Sequence, residues 1–159
     1  MRRAETTDLV ELPRVEAAAD ELFLSLGITL PAPATAAERA GAWRVLVAGT
    51  PVAGFAVLEL LDGAVHLEQL SVDPAHGRRG IGAALLAATV RAAREHGADR
   101  VTLLTYADVP WNGPWYARHG WREITDPTPG LGALRRREVE LGLDRYGPRV
   151  AMVRSVATG

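Results

Sequence analysis

A glycine-rich turn between a strand and a long helix constrains this chain more than any other sequence feature. Residues 65–72 have the composition of a strand that Pro74 ends, and residues 81–96 have the apolar spacing of a helix that Gly97 closes. The turn between them contains His-Gly-Arg-Arg-Gly-Ile-Gly over residues 76–82. A helix N-terminus exposes unpaired backbone N–H groups and the positive end of the helix dipole. Glycines and two arginines at that end therefore predict a cradle for a phosphate group.

The elements around this turn predict an α/β chain with a mixed sheet. Asp62-Gly63 is a strong hairpin signal, and Thr35 with Glu38 forms the pattern of a helix capping box. The predicted strands are residues 43–47, 52–60, 65–72, 100–105, 121–125 and 149–156. The predicted helices are residues 15–26, a short helix after Thr35, residues 81–96, a short helix after an N-cap at Asn112, and a charged helix around residues 134–143.

Composition predicts one globular domain over residues 1–159 and narrows the class of partner. Apolar residues make up 48% of the chain, charged residues 23%, and the net charge is -1. A charge so close to zero gives no electrostatic reason to expect a nucleic acid or an anionic membrane as partner. No run of about 18 apolar residues occurs, so we expect no membrane span.

Two missing residue types exclude whole classes of chemistry. The chain has no cysteine, which excludes disulfides, a thiol nucleophile and cysteine zinc sites and is compatible with a cytoplasmic location. All 18 basic residues are arginine, so the turn is no lysine-dependent phosphate loop. The four histidines have no metal-ligand spacing, and we expect no metal.

Two segments resemble motifs of one family. Residues 70–86 resemble the coenzyme A motif of the GNAT superfamily of N-acyltransferases, Gln/Arg-x-x-Gly-x-Gly/Ala after a strand that ends in a Val-x-Pro-like turn. Gly80 and Gly82 stand at its two small positions, whereas Gly77 stands where the family usually has Arg or Gln. Residues 111–121 are similar to the later Asn…Tyr…Gly-Phe signature, with tryptophan at its last position. The resemblance implies a GNAT-like fold, with a central, mostly antiparallel sheet and helices on both faces.

The same resemblance implies acetyl-CoA as the acyl donor. Its pantetheine arm would pair with the strand at residues 70–72, which opens the first motif, and a backbone N–H there would polarise the thioester carbonyl. Its pyrophosphate would lie on the amides of the turn, and with Gly77 in place of a side-chain donor, Arg78 and Arg79 would supply the charge. The predicted coenzyme-binding residues are Leu70, Ser71, Val72, Gly77, Arg78, Arg79, Gly80, Ile81, Gly82, Ala83 and Asn112. Leu70 and Val72 are equally compatible with core side chains, and Asn112 with a helix cap.

An attacking amine must be neutral, which favours a base near the strand. An alkyl amine has a pKa of roughly 10. Glu68 is the first candidate for this base, because it shares a strand face with Leu70 and its position is often acidic in the family. It is equally compatible with a solvated carboxylate or one that binds a cationic substrate. Glu59 is a weaker candidate, and His66 is expected to be a surface histidine.

Tyr116 resembles the family tyrosine that protonates the departing thiolate. Its hydroxyl titrates near 10, within reach of a thiol's roughly 8.5. Because Trp115 and Trp121 are close in sequence, aromatic packing explains this tyrosine as well.

These expectations together predict an N-acetyltransferase that transfers an acetyl group to a primary amine. A small amine, an amino acid and a peptide N-terminus all stay open as acceptors, and a homodimer is left open. The resemblance implies that residues 26–40 and 126–148 line the acceptor entrance. A non-catalytic acyl-CoA-binding or sensing domain is the main alternative, since it would need the glycine turn but neither Glu68 nor Tyr116. A binder of nucleotide phosphates is a third.

Overall fold

The computed structural model describes residues 1–156 and contains a seven-stranded mixed sheet within them. The strands are β1 (Arg2–Arg3), β2 (Arg44–Ala48), β3 (Gly54–Leu61), β4 (Ala64–Val72), β5 (Arg100–Tyr106), β6 (Arg122–Ile124) and β7 (Arg149–Ser155), in the sheet order β1-β2-β3-β4-β5-β7-β6. The helices are α1 (Thr6–Leu9), α2 (Leu12–Leu24), α3 (Ala36–Ala40), α4 (Ile81–His96), α5 (Gly113–Arg118) and α6 (Pro129–Glu140). Two 3-10 turns lie at Pro74–His76 and Leu143–Tyr146. The predicted α/β class with a mixed, mostly antiparallel sheet is confirmed.

The chain divides into two compact units, of which the first comprises residues 1–59 and 67–92. Strand β2 pairs antiparallel with both β1 and β3 in this unit. Helix α2 begins with Pro13 in its first turn and buries the apolar side of its N-terminal half. The side chains that form this core are Leu12, Val15, Val45, Val47, Val52, Phe55 and Val57. The predicted short helix after Thr35 is confirmed as α3, with both capping-box bonds between Thr35 and Glu38.

The second unit comprises residues 60–66 and residues from 93 onward. Strand β5 lies between two neighbours here. It pairs parallel with the start of β4 at Val65 and His66, and antiparallel with β7 along its whole length. Strand β6 pairs with β7 on the far side.

The helix at residues 81–96 has the predicted bounds. Strand β1 and helix α1 were not predicted, because two-residue strands and single-turn helices carry little periodicity.

The predicted hairpin at Asp62-Gly63 also fixes the start of α6. Both residues have positive φ angles of 52° and 77°, as a two-residue hairpin turn that follows the strand twist requires. The Asp62 carboxylate accepts hydrogen bonds from the Thr128 hydroxyl and the Gly130 backbone N–H, 66 and 68 residues away. Helix α6 therefore begins at Pro129, five residues before the predicted start at 134, because its N-terminal N–H groups are satisfied by a distant side chain.

His66 is buried, and the expectation of a surface histidine was wrong. Its side chain is 4% exposed, and its Nδ1 lies 2.9 Å from the hydroxyl of Thr102, its pairing partner on β5. Burial lowers the pKa of His66 to about 4. A neutral, enclosed imidazole cannot meet a substrate, so His66 is removed from the candidate bases.

We expect His66 to make the fold sensitive to acid. Below pH 6.5 the unfolded chain binds a proton at this histidine that the folded chain rejects, so stability falls as the pH drops from about 6.5 to about 4. The loss reaches up to about 3 kcal/mol at the lower limit. His66→Asn, which keeps a hydrogen-bonding group toward Thr102, should abolish this part of the pH dependence. Urea unfolding at several pH values measures it, and parallel profiles for both proteins would contradict the assignment.

Candidate functional site

The predicted anion-binding turn lies between β4 and α4 and consists of a short 3-10 turn followed by the N-terminus of α4. The Asp73 carboxylate accepts a hydrogen bond of 3.0 Å from the Ala75 N–H and so opens the 3-10 turn. The Gly80 carbonyl then accepts the first hydrogen bond of α4, from the Ala84 N–H at 3.0 Å. The backbone N–H groups of residues 81–83 precede this bond and have no carbonyl of the helix to reach. Donors and a positive dipole end are thus available, as the sequence predicted.

Arg78 has an unusual backbone for its residue type. Its φ angle is +62°, and that of Gly80 is +74°. Glycine adopts this left-handed region freely, whereas any residue with a Cβ is disfavoured there by about 1 kcal/mol or more. Strain of this kind concentrates at ligand sites, where the backbone geometry serves binding. An arginine held in that conformation supports a functional reading of the turn.

The two arginines of the turn are free to bind an anion. Arg78, Arg79 and Gly80 are exposed, and among residues 1–156 neither arginine makes an ion pair or a hydrogen bond. A Cβ added at Gly80 would meet nothing within 4 Å, so open space adjoins the start of α4. The turn therefore presents two uncompensated positive charges beside the free N–H groups.

A brace that the sequence did not reveal holds this turn in place. Arg14 on α2 binds the Asp73 carboxylate at 3.1 Å and the Val52 carbonyl at 3.1 Å. Gly54 lets the start of α4 approach closely, since a Cβ there would lie 3.0 Å from a side-chain carbon of Ile81. A glycine inside a strand pattern is a known sign of close approach, so Gly54 could have been identified. Arg14 carries no such local sign.

The predicted pantetheine strand has one buried and one partly open face. Ser71 is 2% exposed, and its hydroxyl accepts a hydrogen bond from the Gln69 amide. Leu70 and Val72, on the opposite face, are only half-buried. They are therefore not full members of the core, and side chains on that face can contact a ligand.

Glu68 belongs to a charged cluster that sequence reasoning missed. Its carboxylate is 44% exposed and binds the Arg39 Nη1 at 2.6 Å, while the Arg39 Nη2 binds Glu16 at 2.9 Å. Burial raises the pKa of Glu16, against the opposing effect of Arg39. Burial and then the nearby Glu16 raise the pKa of Asp20 to about 7. By contrast Glu59, the weaker candidate base, accepts a hydrogen bond of 3.4 Å from the Trp43 backbone N–H.

Tyr116 lies in the second unit, on α5, and is 8% exposed. Its ring makes edge contacts with Trp115 at 5.1 Å and Trp121 at 5.7 Å between centroids, so the predicted aromatic packing is present. Burial raises the pKa of its hydroxyl, which therefore stays protonated at any neutral pH. No group of residues 1–156 hydrogen-bonds to that hydroxyl.

Asn112 occupies the predicted N-cap position of α5 but does not cap the helix with its side chain. No side-chain hydrogen bond reaches the helix, since the Asn112 backbone (φ −113°, ψ −115°) lies outside the usual cap geometry. Gly113 lets the start of the helix approach the preceding loop closely, because a Cβ there would lie 2.7 Å from the Ala107 carbonyl oxygen. The predicted N-cap position is therefore confirmed, but the side chain makes no cap hydrogen bond and the half-buried amide is left available.

Neither a metal centre nor a membrane helix was found in the part of the chain that the structure describes. No group of three or more histidine, aspartate or glutamate side chains there could hold a metal ion. No helix among residues 1–156 is both long and apolar enough to cross a bilayer.

The left-handed conformation of Arg78 can be tested by two matched substitutions. Arg78→Gly and Arg79→Gly each remove one exposed arginine and give the unfolded chain the same added freedom, but only Arg78 has a positive φ angle. We expect Arg78→Gly to be more stable than Arg79→Gly by about 1 kcal/mol. Chemical denaturation measures the difference, and equal stabilities would argue against strain in the turn.

Comparison with known proteins agrees with this geometry. A sequence model described as an acetyltransferase (GNAT) domain matches residues 41–123, which is more than half of the chain. The match extends from β2 to β6 and contains Glu68, the turn, Asn112 and Tyr116.

Solved structures share the fold at low sequence identity. Rv2747 from Mycobacterium tuberculosis, in complex with coenzyme A, has a TM-score of 0.66 and 23% identity over 97% of both chains. The ribosomal-protein-S18-alanine N-acetyltransferase of Escherichia coli has a TM-score of 0.68 and 20% identity, over 99% of this chain and 94% of that one. The PaiA N-acetyltransferase of Thermoplasma acidophilum, in complex with coenzyme A, has a TM-score of 0.66 and 15% identity, over 97% and 96%. On the family match and the shared fold, the chain belongs to the GNAT acetyltransferase family.

Proposed function

We propose that this protein is an N-acetyltransferase that transfers the acetyl group of acetyl-CoA to a primary amine. The observation that carries the proposal is the exposed turn at residues 78–80, which presents two unpaired arginines beside the free N–H groups of α4. Two of the structural neighbours contain coenzyme A, which supports this ligand. A cytoplasmic location and a homodimer stay predictions.

The diphosphate of coenzyme A would bind to the start of α4. Backbone N–H groups of Ile81, Gly82 and Ala83 would donate to its oxygens, and Arg78 and Arg79 would supply charge in place of the side chain missing at Gly77. The pantetheine arm would run along the backbone of residues 70–72, beside the partly open face of Leu70 and Val72. A backbone N–H of that segment would polarise the thioester carbonyl.

The transfer would proceed by direct attack of the amine. The neutral nitrogen forms a bond to the thioester carbon, the tetrahedral intermediate collapses, and the carbon–sulfur bond breaks to release a thiolate. Glu68 is proposed to accept, directly or through water, the proton that an ammonium substrate loses to become the neutral attacking amine, and the extra proton that the nitrogen carries after attack passes to solvent. The exposed carboxylate of Glu68 would attract an ammonium group from solution before that step.

Tyr116 would protonate the departing sulfur. Its buried hydroxyl keeps its proton at neutral pH and has no internal partner among residues 1–156 to accept that proton. Because burial also makes this hydroxyl a weaker acid, transfer to the departing sulfur requires a site closed to water that raises the pKa of the thiol as well.

Coenzyme A binding can be tested by the same substitution at two glycines that have similar backbone conformations. Gly80 and Gly97 lie at opposite ends of α4, both have positive φ angles, and neither has an atom within 4 Å of an added Cβ. Gly80→Glu should weaken binding of coenzyme A about 100-fold by repelling the diphosphate, whereas Gly97→Glu should leave it within about 2-fold. Isothermal titration calorimetry measures both. An unchanged affinity in Gly80→Glu would remove the site from the turn.

Transfer is tested by release of free thiol from acetyl-CoA over a panel of alkylamines, amino acids and tripeptides with free N-termini. Because the chain has no cysteine, a thiol reagent reports only the coenzyme. We expect turnover with at least one amine and a loss of about 100-fold in kcat for Tyr116→Phe, with coenzyme A affinity preserved. Tyr106→Phe removes another buried phenol hydroxyl, which donates to the Leu143 carbonyl, and should keep kcat. Tight coenzyme A binding without turnover on any amine would favour a sensing domain instead.

A further inference from the structure

Arg39 is a buried arginine that divides its guanidinium between two carboxylates of different exposure. Its side chain is 7% exposed, that of Glu16 is 9% exposed, and that of Glu68 is 44% exposed. The 2.6 Å contact to Glu68 and the 2.9 Å contact to Glu16 use different terminal nitrogens, so both bonds exist at once. The three side chains come from α2, α3 and β4, all within the first unit.

The charges of this cluster leave Glu68 uncompensated. The buried pair of Glu16 and Arg39 is neutral as a whole, because each partner balances the other. Glu68 adds a further negative charge at the exposed end of the cluster. Asp20, one helical turn from Glu16, is also acidic and so does not offset that charge. Without Glu16, the positive charge of Arg39 would cancel the negative charge of Glu68. With Glu16 present, Arg39 can hold the Glu68 carboxylate in place while the negative charge of Glu68 stays available to a ligand.

The position of Arg39 is itself fixed by the local fold. The capping box of Thr35 and Glu38 closes the start of α3, and the Arg39 N–H bonds the Thr35 carbonyl at 3.0 Å. Arg39 therefore holds the Oε2 atom of Glu68 from the protein interior. The Oε1 atom makes no hydrogen bond within residues 1–156 and is left for another group.

We propose that Arg39 is a positioning residue that orients the Glu68 carboxylate toward a cationic amine, with Glu16 as the counterion that keeps Glu68 negative. The inference rests on the proposed function and extends it to the class of acceptor, an amine that is protonated in solution. Arg39 is not a catalytic residue, since it acts through Glu68. The three side chains of the cluster belong neither to the glycine turn nor to residues 70–72, so coenzyme A affinity should not depend on the cluster.

A combined substitution avoids leaving a buried charge alone. Removing one partner of a buried ion pair destabilises a fold strongly, whereas replacing both by apolar side chains is often tolerated. The double variant Glu16→Leu/Arg39→Met removes both partners of the buried pair and leaves Glu68 without its arginine contact. Arg39→Lys keeps the positive charge but cannot bind both carboxylates with a planar guanidinium. Thermal unfolding should show a folded protein in each case. Arg100→Met, which removes an ion pair with the exposed Asp99 outside the predicted acceptor entrance, is the control.

A double-mutant cycle on the most active amine of the thiol-release panel separates positioning from general damage. The combined substitution should lower kcat/KM for the amine at least 10-fold, with partial recovery in Arg39→Lys and no change in coenzyme A affinity. In the Glu68→Gln background the same combined substitution should change kcat/KM less than 2-fold. Equal losses in both backgrounds would overturn the proposal.

A spectroscopic measurement tests the positioning without any acceptor. NMR scalar couplings of 13C-labelled glutamate should show one χ1 rotamer for Glu68 in the wild type and the Arg100→Met control. The combined substitution should give rotamer averaging at Glu68. A Glu68 side chain that averages already in the wild type would overturn the inference even if transfer is observed. If no amine is turned over, the proposed function fails, and the rotamer result alone decides whether Arg39 positions Glu68.

Discussion

The free backbone N–H groups at the start of α4 are the feature on which the rest of the candidate site depends. A helix cannot satisfy its own first donors, and burying them without partners would be costly. This chain leaves them at an exposed turn and places two arginines without partners beside them. Arg78 adopts a left-handed backbone within this turn, and Gly54 lets the start of α4 pack closely against β3.

The first unit uses arginine both as an unpaired surface cation and as a partner in internal ion pairs, and it contains no lysine. Arg78 and Arg79 are exposed and unpaired within the described residues, as suits groups that await an anion. Arg14 and Arg39 are bound to carboxylates on other elements, where a planar guanidinium can hold two acceptors at once. The first pair would bind the proposed donor, whereas the second pair holds the turn and the carboxylate that the acceptor would meet.

Sequence reasoning succeeded where the determinants are local. The bounds of α4 were predicted because apolar spacing and flanking glycines lie within the segment itself, and the hairpin at Asp62-Gly63 is a two-residue signal. It failed where the determinant is distant. His66 is buried by its pairing with Thr102, and α6 starts early because Asp62 caps it from 66 residues away. The Arg39 cluster was missed for the same reason, as its partners are 23 and 29 residues distant and carry no shared pattern.

The central claim is that backbone amides at the start of α4 bind the diphosphate of coenzyme A. Amide chemical shifts of the 15N-labelled protein, recorded during titration with coenzyme A and separately with pantetheine, test it most directly, because pantetheine lacks the diphosphate. The account predicts large shifts at Ile81, Gly82 and Ala83 with coenzyme A and small ones with pantetheine. Unshifted amides at these three residues in the presence of saturating coenzyme A would contradict it.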